Sequence, residues 1–244
     1  MQVNTIAELR IDTERLSRRI AELASIGAIE GDGVCRLALT DEDRLGRDQV
    51  CEWMRQLGMR VSIDGIGNVV AIRAGLEDVA PVMTGSHIDT VATGGRYDGT
   101  LGVLAGLEVI ASLNDAGITT RRPLAVGFFT NEEGARFAPD MMGSGVHQGA
   151  FDLDEMLATR GIDNSILGEE LERIGYAGAA EVGRFRVHCF LELHVEQGPV
   201  LEDEDITIGV VVGVQGISWT ELVLSGQSCH AGTTPMRLRH DPGY

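Results

Sequence analysis

The sequence predicts an α/β fold, with a mostly parallel central sheet and flanking helices. Three observations predict it. Segments of helical periodicity alternate with short apolar runs along most of the chain, the pattern of strands joined by crossover helices. The runs at 81–84, 124–130 and 189–193 are almost continuously apolar, as strands covered on both faces are. Each of these runs stops abruptly at polar, chemistry-bearing residues. At 244 residues, 43% hydrophobic and 23% charged, the chain is long and apolar enough for one or two domains with a sizeable core.

The elements follow in order. Residues 4–25 place Ile6, Leu9, Leu16, Ile20 and Leu23 on one helical face with charges between them. Thr40 is an N-cap, with Asp43 three residues on and Gly58 as the stop of a second helix. Residues 60–64 and 69–73 read as strands joined across Gly65-Ile66-Gly67-Asn68. A short strand at 81–84 runs into Gly85-Ser86-His87, and 102–116 is helical, ending at Gly117. The strand at 124–130 ends at Asn131-Glu132-Glu133. Residues 153–175 read as an acidic helix with a solvated face, and the strand at 189–193 ends at His194. After Ile206, alternation at 207–214 and 218–224 predicts two strands of a separate α+β unit. The expected boundaries are therefore a first domain over 1–207 and a second domain beginning at 208–244.

Composition excludes several functions. All 20 basic residues are Arg, against 37 acidic residues, for a net charge of −17. Phosphate backbones and anionic membranes repel such a chain, so neither nucleic acid nor membrane is expected as a partner. Without a lysine, Schiff-base and Walker-type chemistry are impossible. The N-terminus lacks the apolar stretch of a signal peptide, and no run reaches the ~18 apolar residues of a membrane span. Both point to a cytoplasmic protein. Cys35, Cys51, Cys189 and Cys229 form no CxxC pair and are expected to be reduced and mostly buried.

The chemistry gathers at strand ends, where open α/β sheets bind their ligands. His87, Glu132, Glu133 and His194 each follow an apolar strand, and Asp98 joins them from the Gly-rich loop Gly94-Gly95-Arg96-Tyr97-Asp98-Gly99. A lone histidine after a strand is usually a hydrogen-bonded loop residue, and His147, His188 and His240 are taken that way. Adjacent glutamates are usually surface charge. Here a buried strand delivers both carboxylates together, which calls for a counter-charge such as a metal. Imidazole and carboxylate donors suit Zn or Mn. Asp89, two residues past His87, can hold the second nitrogen of a ligating imidazole.

Gly85-Ser86-His87-Ile88-Asp89-Thr90-Val91 and the loop through Asp98 resemble the dinuclear-metal M20 peptidase/amidase superfamily. The match is to its hydantoinase/carbamoylase branch, which includes N-carbamoyl-L-amino acid hydrolases, allantoate amidohydrolases and β-ureidopropionases. Thr130-Asn131-Glu132-Glu133-Gly134, Glu192-Leu193-His194-Val195-Glu196-Gln197-Gly198 and Gly226-Gln227-Ser228-Cys229-His230-Ala231-Gly232 agree. The resemblance implies a phosphorylase/hydrolase-like fold of the zinc-exopeptidase type. It implies two divalent ions per subunit (Zn or Mn, with Co or Ni as alternatives), held by His87, His194, a bridging Asp98 and Glu133. Glu132 would be general base and then acid, acting on a water between the metals; Asp89 would orient His87. His230 would stabilise the oxyanion, and Gln197 would contact substrate. Arg136 is read as a structural salt-bridge residue rather than a carboxylate binder. The implied reaction is hydrolysis of the carbamoyl or ureido C–N bond of N-carbamoyl-L-amino acids, N-carbamoyl-β-alanine or allantoate. The implied partners are a small ureido substrate and, for the full-length enzyme, a second subunit in a homodimer. The family's remaining second-metal His and its substrate-gripping Asn and Arg have no counterpart here, so a C-terminally truncated catalytic domain with an incomplete lid/dimerisation domain is expected. An inactive fragment keeping a partial metal site, and an M20 exopeptidase or aminoacylase, are the alternatives.

Overall fold

The structure is a computed structural model and describes residues 8–183, 185–218 and 220–243. The described residues fall into two compact units, divided between Gln197 and Gly198.

In the first unit, α1 (Thr13–Ala24) is capped by Asp12, whose side chain accepts from the Arg15 N–H, and buries Ile20 and Leu23. It starts later than its sequence pattern suggests, because Asp12 supplies the cap; Ile6 lies outside the described residues. A two-residue hairpin, β1 (Ala28–Ile29) with β2 (Gly33–Val34), follows. The helix α2 (Asp41–Gln56) is capped by Thr40 accepting from Asp43 N–H, as read from the sequence. Its apolar face buries Val50, Cys51, Trp53 and Met54.

Next come β3 (Arg60–Ile63), β4 (Val69–Arg73), β5 (Val82–Ser86), α3 (Thr100–Asp115) and β6 (Leu124–Phe128). The short helices α4 (Met142–Gln148), α5 (Leu153–Leu157) and α6 (Leu167–Ile174) precede β7 (Cys189–Leu191). The sheet order is β3-β4-β6-β5-β7. The β5–β6 and β5–β7 ladders are parallel, whereas β4 runs against both β3 and β6. Four strands thus share one direction, and the antiparallel β4 comes from its tight turn with β3.

The core is one contiguous cluster in which α2 and α3 residues meet Val69, Ala71, Val126 and Phe128 of the sheet. Helix α3 is apolar nearly all round, and its mid-helix Glu108 is buried. That carboxylate is satisfied by Arg15, by the Asp12 N–H and by Ser112, which docks α1 onto α3.

Three expectations are corrected. The acidic segment 153–175 is two helices, not one, and α6 buries Leu167, Leu171 and Ile174. The turn between them is held because Arg136 binds Asp163, Ser165 and Glu170. Secondly, of the free cysteines only Cys51 is buried and Cys189 is exposed, since β7 is a sheet edge. Thirdly, no strand forms at 207–224 among the described residues; Trp219 lies outside them. An alternating pattern makes a strand only where a partner takes its N–H and C=O groups, and no ladder is present there among the described residues, with Val210 to Val212 more than four-fifths exposed. The second unit carries α7 (Val200–Asp203) and a 3₁₀ turn at Met236–Leu238. No helix among the described residues is long and apolar enough to cross a membrane.

Candidate metal centre

Because β5, β6 and β7 are mutually parallel, their carboxyl ends open on one edge of the sheet. His87 follows β5 directly, Asp98 ends the loop that enters α3, Glu132 and Glu133 follow β6, and His194 follows β7. The fold brings His87, Asp98 and His194 together: each offers one ligand atom, and these atoms lie within 4.8 Å of one another. His87 Nε2 is 3.8 Å from Asp98 Oδ1 and 3.4 Å from Glu132 Oε2, and His194 Nε2 is 3.3 Å from Asp98 Oδ1.

His87 is 2% exposed, and both imidazoles are oriented by backbone. His87 Nδ1 lies 2.9 Å from the Asp89 carbonyl, and His194 Nδ1 lies 2.8 Å from the Val195 carbonyl. Each Nδ1 therefore carries the proton, leaving Nε2 free for a cation. The Asp89 carboxylate sits farther off, 3.9 Å from His87 Nδ1. It accepts instead from the backbone N–H groups of Glu132 and Glu133, both at 3.3 Å. Asp89 thus links the β5 loop to the β6 loop.

Asp98 is set by a γ-turn. The Thr100 N–H donates to the Asp98 carbonyl, with Gly99 at φ +60° and ψ −47° between them. A Cβ at Gly99 would overlap the His87 ring. Gln197, itself at φ +51°, donates from its side-chain amide to Asp98 Oδ2. The loop after β6 rests on a buried polar scaffold. Asn68 accepts from the Thr130 N–H and donates to Gly143 O and Asp64, while Arg47 reaches Thr130 and Gly67 O and pairs with Asp43 at 2.7 Å. Asn131, at φ +51°, donates to the Phe137 carbonyl and so turns the chain into Glu132.

The electrostatics call for a cation. Burial pushes the Glu133 carboxyl up to about 7, with Asp98, Asp89 and Glu132 adding to it against His87. Burial likewise raises Glu132 and Asp89. Burial alone would lower the His87 imidazole, but Asp89, Glu132 and Glu133 raise it. Glu133 Oε1 is buried and has no hydrogen-bond partner among the described residues. Two imidazoles facing a carboxylate, a crowd of destabilised carboxyls and one orphaned buried oxygen fit a divalent metal ion.

Arg136 is 6% exposed and committed to Asp163, Glu170 and the Ala38 carbonyl, a structural role as its sequence context suggested. His230 belongs to the second unit, where its Nδ1 accepts from the N–H groups of Gly232 and Thr233. Sequence reasoning named Gly99 and Asn68 only as turn residues and passed over Arg47. The Asp-Gly step at 98–99 was the one local signal, because such a dipeptide marks a tight turn.

The family model for Peptidase family M20/M25/M40 matches residues 83–241. Over 235 residues the chain is 43% identical to an N-carbamoyl-L-amino-acid amidohydrolase of Rhizobium meliloti, covering 96% of this chain and 56% of the relative. It is 35% identical over 251 residues to a ureidoglycolate hydrolase of Arabidopsis thaliana, covering 99% of this chain and 53% of that one. A hydantoinase/carbamoylase family amidase from Burkholderia ambifaria has a similar structure, with a TM-score of 0.82 and 48% identity over 95% of this chain and 57% of its own. The chain thus spans little more than half the length of the relatives it matches.

Proposed function

The chain belongs to peptidase family M20/M25/M40, and from that premise we propose that its first unit is the site of a metal-dependent amidohydrolase. The proposed substrates are N-carbamoyl-L-amino acids or related ureido acids, including N-carbamoyl-β-alanine and allantoate. The observation that carries this is the convergence of His87, Asp98 and His194, with Glu132 3.4 Å from His87 Nε2. The names of the amidohydrolase relatives favour a carbamoyl or ureido C–N bond over a peptide bond.

His87, Asp98 and His194 would hold one divalent ion, and Asp98 with Glu133 a second. The chemistry such ions supply is Lewis-acid polarisation of a carbonyl and acidification of a water. The chain's own residues do the rest. Glu132 takes a proton from the attacking water and returns it to the leaving nitrogen in this reading. Burial raises its carboxyl above the ordinary range, which favours the return of the proton to the leaving nitrogen. Asp89 fixes the Glu132 and Glu133 backbone and, through its carbonyl, the His87 tautomer. Gln197 steadies Asp98 and contacts substrate. His230 of the second unit keeps the oxyanion-stabilising role that the resemblance implies; because its Nδ1 accepts from the Gly232 and Thr233 N–H groups, the donor in that role would be Nε2–H. A homodimer and a cytoplasmic location complete the proposal.

The test is Glu132→Gln, assayed by amino-acid and ammonia release from the three carbamoyl substrates, with a dipeptide alongside. The expected result is loss of turnover with metal content unchanged. Near-normal turnover by the variant would remove Glu132 from its role. Cleavage of the dipeptide alone would favour the exopeptidase alternative.

A further inference from the structure

Arg36 is one of the most deeply buried side chains, 1% exposed, yet it forms no ion pair among the described residues. Its guanidinium is spent on carbonyls. Nε donates to Ile88 O at 2.8 Å, and one terminal nitrogen donates to Leu23 O and Ile26 O at 3.0 and 2.8 Å. Burying a cation against neutral acceptors costs several kcal/mol, and an apolar side chain of the same volume would fill the space more cheaply. The placement of its acceptors supplies the reason. Ile88 sits between His87 and Asp89, and Leu23 and Ile26 lie at and just past the end of α1.

The backbone around Arg36 works the same way. Val34 and Gly94 exchange two hydrogen bonds, at 2.9 and 3.0 Å. The Arg36 N–H donates to Thr90 Oγ1 at 2.8 Å, and the Thr90 N–H donates back to the Arg36 carbonyl at 2.9 Å. Residues 34–36 thus form a strap joined at Ile88, Thr90 and Gly94 to the loop that carries His87 at one end and Asp98 at the other. Gly46 lets α2 approach the arginine: a Cβ there would lie 2.9 Å from Arg36 Cδ.

We propose that Arg36 is a positioning residue for the metal centre, holding the His87–Asp98 loop in its ligating shape through the 34–36 strap. The inference rests on the metal-site reading above. A lysine cannot reproduce it, since one ammonium cannot reach the forked set of carbonyls in place of a planar guanidinium.

The experiment measures Zn²⁺ affinity by competition with a chromophoric chelator, and the Co²⁺ visible spectrum, on the 244-residue chain. Arg36→Lys and Thr90→Val are compared with Glu108→Gln, a buried change on α3 outside the site. Urea unfolding without metal ranks their stability. The expected result is a loss in Zn²⁺ affinity of about tenfold or more for Arg36→Lys, the range typical of residues that orient ligands. Thr90→Val is expected to lose a smaller factor, both with altered Co²⁺ spectra, while Glu108→Gln keeps wild-type affinity and spectrum. Unchanged affinity and spectra in folded Arg36→Lys would overturn the inference and leave the metal site standing. Should Arg36→Lys not fold, unchanged binding by Thr90→Val overturns it. Equal losses in all three variants, tracking stability alone, also overturn it. A wild-type chain that binds no Zn²⁺ or Co²⁺ would instead sink the metal reading itself.

Discussion

Replacing Gly99 by alanine tests the centre at its tightest point. Gly99 occupies φ +60° and ψ −47°, inside the γ-turn that aims Asp98. Forcing an L-residue into such a conformation costs about 1–3 kcal/mol. The added methyl also meets the His87 ring, which cannot retreat: it is 2% exposed and held at Nδ1 by the Asp89 carbonyl. Overpacking of that kind costs a further 1–3 kcal/mol, roughly. If only about 2 kcal/mol of this falls on ligand geometry, cation affinity drops about thirtyfold. The assay is Zn²⁺ titration with a competing chelator, paired with urea unfolding of the metal-free protein. Gly95→Ala is the internal control, because a Cβ at Gly95 meets nothing within 4 Å. Wild-type affinity and stability in Gly99→Ala would refute both the turn argument and the ring contact.

Other outcomes follow from the buried charges. Arg47→Met leaves Asp43 buried without its cation and should cost about 3–5 kcal/mol in urea unfolding; a loss under about 1 kcal/mol would show the pair to be dispensable. Burial pushes Glu108 up, but hydrogen bonds from Arg15, the Asp12 N–H and Ser112 outweigh it and hold the carboxyl below its ordinary 4.5. Its stabilisation is therefore fully present above that value and is lost as pH falls through the lowered one. Glu108→Gln should flatten that acid limb of a stability–pH curve, and parallel curves for variant and wild type would exclude the link. His194→Ala should weaken Zn²⁺ binding by at least about tenfold while leaving urea stability of the metal-free protein unchanged, because His194 is exposed and Asp98 keeps Gln197.

What could be seen in the sequence was local. The Thr40 cap, the apolar strands and the metal-ligand residue types at their ends are short-range patterns, and the sheet's direction then brings His87, Asp98 and His194 to one edge. What could not be seen was pairing across distance. The Asp89 carboxylate binds amides of residues 132 and 133, Arg36 grips Ile88, and Asn68 holds Thr130. None of these contacts has a period or motif, because each depends on where the fold places its partner. The strands expected at 207–224 failed for the same reason: alternation is written locally, but a ladder needs a neighbour.

The short β7 carries a thermodynamic consequence. His194 hangs from a three-residue edge strand, while His87 follows the interior strand β5 and Asp98 sits on the loop that enters α3. A cation shared by them would act as a staple across roughly a hundred residues of intervening chain, and would oppose fraying of the edge by an amount that grows with free ion, about 2.7 kcal/mol at a hundredfold excess over Kd. Metal starvation would then be felt first as faster amide exchange and protease nicking around residues 185–197, well before the helices α1 to α3 loosened.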